Sequence, residues 1–261
     1  MVNYAGGISV IINTDDSSGF KMTAEQLKAA ITPKTKMLVL TSPSNPTGAV
    51  YSESELRALA EVLKDTNILV ASDEMYEKLV FDNIKFVATA SISEDMFERT
   101  ITINGLSKSA AMTGWRFGYM ASAKTELIAA MNKLQSQSTS NINSITQDAA
   151  IVGLNGTINE EVETMRVAFE ARCAEATNLF NAVDGLSVVK PNGAFYLFVN
   201  IKKVSNNSMQ FCKDLLEDQG VAVVPGIGFG AEGYFRFSYA TDIETIKEGV
   251  RRIEAFVQKQ K

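Results

Sequence analysis

Three short apolar runs constrain this chain more than anything else in it. MLVL (37–40) and ILVA (68–71) carry no polar alternation, TITI (100–103) alternates threonine with isoleucine, and each stops abruptly at a cluster of polar and turn residues. A strand without alternation is one whose two faces are both expected to be covered, which is the habit of parallel sheets flanked by helices. The segments between and around the runs support that reading. SESELRALAEVLKD (52–65) has apolar residues at helical spacing, with Ser52 as N-cap and Glu55 three residues on, a capping box. TAEQLKAAI (23–31) repeats the pattern with Thr23 as N-cap, and ISVII (8–12) ahead of it reads as a further strand. The expected fold is α/β, built on a mainly parallel sheet.

Beyond Met120 the texture changes. KTELIAAMNKLQSQ, INSITQDAAIVGL and the long NEEVETMRVAFEARCAEATNLFNAV read as helices. From about Gly185 strands (FYLFV, YFRFSY) mix with helices (SMQFCKDLLEDQG, DIETIKEGVRRIEAFVQ). The expected division is a large unit over 1–158, a connecting helix over 159–184 and a small α+β unit over 185–261.

In a parallel α/β sheet, ligands sit beyond the carboxyl ends of the strands. That places three clusters at one crevice: SPSNPTG (42–48), SDEMYEKL (72–79) and NGLSKSAAMTGWR (104–116). Taken singly, each has an ordinary reading. Asn45 before Pro46 is a turn residue or an amide presented to a ligand. Asp73 is a helix cap, or a half-buried carboxylate that needs a cation, with Tyr76 able to turn into the same crevice. Lys108 is a loop lysine, or an amine desolvated beside Arg116 and ready to act as a nucleophile. Ser107 and Arg116 together suit a phosphate, the arginine by a bidentate contact. Arg236, between Phe235 and Phe237, is an outward-facing charge or a clamp for a carboxylate.

Composition removes other classes. The chain has 261 residues and no histidine, which excludes His-dependent triads, His metal sites and His bases. A net charge of −5, with basic residues dispersed, offers no nucleic-acid footprint. No apolar run approaches the roughly 18 residues of a membrane span, and no leader pattern opens the sequence. Cys173 and Cys212 stand apart on helical stretches and read as reduced core thiols of a cytoplasmic protein. PGIGFG (225–230) fails as a dinucleotide fingerprint, because Ala231 stands where the last glycine is needed.

In their order and spacing, SPSNPTGAVYS, ASDEMYEKLVF, NGLSKSAAMTGWRFGY, PNGAFYLF and YFRFSYA resemble the class I aminotransferases of fold type I, the aspartate aminotransferase group. The likeness runs over essentially the whole chain, which matches the family without its N-terminal third. It implies the aspartate aminotransferase fold and pyridoxal 5′-phosphate as cofactor. Lys108 would carry the cofactor as a Schiff base and later move the substrate proton. Asp73 would pair with the pyridine nitrogen, Tyr76 and Asn45 would hydrogen-bond the phenolic oxygen, and Ser107 and Arg116 would hold the phosphate. Arg236, with Asn45 close by, would bind the substrate carboxylate, and the Asn45–Pro46 peptide would be cis. The implied reaction is transamination between an amino acid, aspartate first, and a 2-oxo acid, 2-oxoglutarate first, in a cytoplasmic homodimer. No metal, nucleic acid or membrane takes part in it. Three alternatives stay open on the same fold: another class I enzyme (an aromatic or broad-range aminotransferase, or a carbon–sulfur lyase), an aminotransferase-like ligand-sensing domain of a regulator, and a truncated chain without activity. The absent part of the family pattern would leave an apolar patch exposed.

Overall fold

The apolar runs lie side by side as strands β1 (Met37–Thr41), β2 (Leu69–Asp73) and β3 (Thr100–Gly105), all parallel. The structure, a computed structural model, describes residues 2–260; Met1 and Lys261, the outer ends of the two expected units, lie outside the described residues. Register aligns the strand ends: Thr41 lies level with Asp73, and Asp73 with Ile103. A fourth strand that the sequence pattern did not announce, β4 (Gly118–Ala121), adds antiparallel to β3 at the edge.

Helices α1 (Ala24–Ala30), α2 (Glu53–Leu63) and α3 (Glu94–Arg99) pack against this sheet. The expected capping box of Ser52 with Glu55 is present, and the expected N-cap Thr23 forms a box as well, with Gln26; such a cap typically contributes about 1 kcal/mol. Leu27, Leu40, Leu56, Leu59, Leu63, Val70 and Met96 form the core between them. The expectation of two covered faces holds for β2, where Val70, Ala71 and Ser72 are all buried, and fails for β1, for β4 and at the end of β3. Leu40 is 5% exposed but its neighbour Val39 is 63% exposed, and Met37, Ile103, Tyr119 and Met120 are exposed as well. The expected strand at 8–12 is also absent. Ile8, Val10 and Ile11 are exposed coil, because among the described residues no strand offers them a ladder.

The turn α4 (Leu106–Ser109) leaves the end of β3, followed by α5 (Thr125–Ser136), α6 (Ser144–Leu154) and the long α7 (Asn159–Ala182). Beyond α7 a second sheet forms, antiparallel, from β5 (Tyr196–Asn200), β6 (Val224–Pro225) and β7 (Tyr234–Ser238) in the order β5-β7-β6. With α8 (Ser208–Gln219) and α9 (Ile243–Lys259) it encloses Leu197, Val199, Phe235, Ile246 and Ile253. Cys173 and Cys212 are buried free thiols, as expected. Among the described residues, no helix is long and apolar enough to cross a membrane.

The two sheets meet through backbone. The turn at 190–194 docks against the first sheet's loops: Asn192 N donates to Gly48 O (3.0 Å), Phe81 N to Asn192 O (2.9 Å) and Ala194 N to Leu79 O (2.9 Å). Gly48 has φ +67°, and a Cβ on it would fall 2.3 Å from Pro191 Cβ and 2.6 Å from Gly193 O. Beneath the same loops Glu74, 2% exposed, accepts from Ser72 Oγ (2.9 Å) and Thr89 N (3.0 Å) through one oxygen. Burial, ahead of the charge of Glu77, pushes its carboxyl above the ordinary range despite those hydrogen bonds.

Two outcomes are expected. Gly48→Ala combines a left-handed backbone with a clash against another segment's backbone. It should lower the urea midpoint by an amount equivalent to at least about 1–3 kcal/mol, with the slope unchanged; an unaltered midpoint would show that the docked turn can yield. Glu74→Gln keeps the accepting oxygen and removes the buried charge. With its pKa raised in the fold, the native carboxyl holds its proton to higher pH than the unfolded one. Wild-type stability therefore falls as pH climbs from the ordinary carboxylate value through the raised one. The variant should lack that fall and match or exceed wild type at pH 7; equal losses at every pH would count against the assignment.

Candidate active site

Each predicted site residue except Arg236 stands on, or just beyond, the carboxyl end of a parallel strand, where the backbone leaves the ladder. Asp73 ends β2; its Oδ1 accepts from Met75 N (3.1 Å), which turns the chain sharply. The carboxylate is half-buried and makes no ion pair among the described residues. Three residues on, Tyr76 is buried and its hydroxyl lies 3.1 Å from that of Tyr196. Burial, then the hydrogen bond with Tyr196, pushes the Tyr76 phenol well above its ordinary range; Arg236 pulls it down and Asp73 raises it. The phenol thus feels the charges of both units.

Lys108 sits in the short turn α4, half-buried, with Nζ 5.7 Å from the centre of the Phe195 ring and no carboxylate partner among the described residues. Ser107 and Arg116 are joined through Thr113, whose hydroxyl donates to Ser107 O (3.0 Å) and whose carbonyl accepts from Arg116 Nη1 (3.0 Å). Arg116 is exposed and holds a left-handed backbone, φ 54°. Its Nη1 hydrogen bond lies within its own loop.

Arg236 comes from the second sheet. Phe235 and Phe237 on either side of it point into the core, so strand alternation turns Arg236 to the opposite face. There its guanidinium lies between the rings of Tyr196 (4.4 Å) and Phe229 (5.2 Å). Nη1 donates to Asn45 Oδ1 (2.8 Å), a contact spanning 191 residues of sequence. Nε is buried with no hydrogen-bond partner. Nε is enclosed by protein, so an incoming acceptor reaches this guanidinium through its terminal nitrogens. The Asn45–Pro46 peptide is cis, as is Ser42–Pro43.

The structure therefore brings Asn45, Tyr76, Lys108 and Arg236 together around the β5 aromatics, with Asp73 beside Tyr76 and with Ser107 and Arg116 on the adjoining loop. Phe195, Tyr196 and Phe229 had no assigned role from sequence. The signal for the first two was the adjacent aromatic pair in PNGAFYLF, which alternation must split between two faces.

Comparison with known proteins identifies the family and the fold. Residues 1–253 match the model of the family "Aminotransferase class I and II". An asparagine–oxo-acid transaminase of Streptococcus mutans is 47% identical over 97% of this chain and 65% of its own length. An aspartate aminotransferase of Bacillus subtilis is 47% identical over 99% and 66%. The chain thus spans just under two thirds of the length of these curated relatives. Among solved structures, an aspartate aminotransferase from Rhizobium meliloti superposes with a TM-score of 0.94 at 43% identity, covering 98% of this chain and 66% of that one. An aromatic aminotransferase from Pyrococcus horikoshii does so with 0.95 at 38%, covering 99% and 69%. The fold is that of these enzymes, and the chain belongs to the class I and II aminotransferase family.

Proposed function

We propose that this chain is the greater part of a pyridoxal 5′-phosphate-dependent aminotransferase that moves an amino group between aspartate and 2-oxoglutarate, working as a cytoplasmic homodimer. In this reading residues 1–158 belong to the cofactor-binding unit, 159–184 connect, and 185–261 form the small unit. The observation that carries it is the Arg236 guanidinium, stacked on Tyr196, tied to Asn45 and without a carboxylate partner among the described residues. A guanidinium held in this way suits a carboxylate.

The donor set fits the cofactor. A half-buried carboxylate without a cation (Asp73), an amine without a carboxylate (Lys108), a buried phenol (Tyr76) and a loop pairing Ser107 with Arg116 complement a pyridinium, an aldehyde, a phenolic oxygen and a phosphate respectively. When bound, pyridoxal 5′-phosphate supplies an electron sink for the charge left on Cα after proton removal. Lys108 Nζ anchors that group, then takes and returns the Cα proton. Asp73 keeps the ring nitrogen protonated. Tyr76 donates to the phenolic oxygen, as does the Asn45 amide nitrogen, which is free because Oδ1 serves Arg236. A second reading, an aromatic amino acid as substrate, is favoured by the rings of Tyr196 and Phe229 around Arg236 and by the likeness to the Pyrococcus enzyme.

Adding pyridoxal 5′-phosphate and then borohydride should fix one label on the peptide containing Lys108, and Lys108→Ala should carry none. A label on a different lysine would sink the assignment. Arg236→Ala removes a charge-assisted contact and should raise the KM for aspartate by about 10- to 100-fold. Comparing kcat/KM for aspartate with that for phenylalanine decides between the two substrates.

A further inference from the structure

We propose that Tyr196 is a positioning residue that sets both halves of the site at once, Arg236 through its ring and Tyr76 through its hydroxyl. The Tyr196 ring lies 4.4 Å from the Arg236 guanidinium carbon, and its hydroxyl lies 3.1 Å from that of Tyr76. The side chain is buried, wedged against the rings of Phe195 and Tyr76, so it has little freedom to serve one neighbour and abandon the other. Stacking fixes the guanidinium plane. With Nη1 held by Asn45, the plane determines where the other terminal nitrogen points. At the other end, two phenols share one hydrogen bond. When the Tyr196 hydroxyl donates, the Tyr76 proton is released to point into the crevice; when it accepts, that proton is spent. One tyrosine thereby links the orientation of the carboxylate clamp to the donor state of Tyr76. The group facing Tyr76 and the role of Arg236 as a carboxylate clamp both rest on the functional reading above.

The test uses succinate, a dicarboxylate with no amino group, measured calorimetrically on the chain without cofactor. Tyr196→Phe keeps the ring and should hold the Kd within about twofold of wild type. Ring-fluorinated phenylalanines at the same position keep the shape and weaken the ring's face; they should loosen succinate stepwise. Tyr196→Leu should loosen it about tenfold. On the chain loaded with pyridoxal 5′-phosphate, Tyr196→Phe should shift the pH dependence of the visible absorbance, in the same sense as Tyr76→Phe where the Tyr196 hydroxyl is the donor and in the opposite sense where it is the acceptor. Four results overturn the proposal: succinate that fails to bind wild type at millimolar concentration, affinity indifferent to ring fluorination, a Tyr196→Phe loss as large as that of Tyr196→Leu, or an unshifted absorbance profile in a Lys108-labelled chain. If wild type takes no label on Lys108, the cofactor reading falls. The succinate series, which needs no cofactor and in which the fluorinated variants keep the fold's shape, then decides the proposal alone.

Discussion

Three backbone hydrogen bonds, from the turn at 190–194 to Gly48, Leu79 and Phe81, place the second sheet against the loops of the first. Arg236 and Tyr196 enter the crevice on β7 and β5, while Asn45, Tyr76 and Lys108 stand on loops beyond parallel strands. A guanidinium–amide contact at 2.8 Å and a phenol pair at 3.1 Å tolerate little relative movement of the two units. One ion pair, Lys190 with Asp82 (2.6 Å), supports these backbone bonds at the edge of the same turn. Glycine at 48 follows from the same closeness, since the docked turn occupies the space a Cβ would need.

Charges held within the fold are of two kinds. Some are settled internally: Arg99 is paired with Asp95 and three carbonyl or hydroxyl oxygens, and Glu74 rests on Ser72 and Thr89. Others are held in place but left without an opposite charge. Asp73 has one amide, Lys108 an aromatic face, and Arg236 two rings and one amide oxygen. Ordering a charged side chain without neutralising it is a poor way to stabilise a fold, and a sound way to prepare a binding site.

Several elements were legible from residues alone because their cause is local. The capping boxes at Thr23 and Ser52, the three apolar strands and the long helix before residue 184 depend on spacing within one segment. The reading failed where the cause lies elsewhere. ISVII has the composition of a strand, but a strand exists only with a partner to bond. MLVL has the composition of a strand covered twice, yet its Val39 face meets nothing among the described residues.

The sequence by itself determined the kinds of groups available and the order in which they arrive: an amide before a proline, an acid at a strand end, a lysine in a turn, an arginine inside an aromatic strand, and no histidine to share their work. It also determined the family, since those groups recur in one order and spacing. Only the tertiary structure decided which of them meet. Asn45 and Arg236 are 191 residues apart, and Tyr76 and Tyr196 are 120 apart; no local pattern encodes such pairs. They form because two sheets are docked at a fixed offset, and alternation on β5 and β7 then sends Tyr196 and Arg236 to the face that looks onto the first sheet's loops.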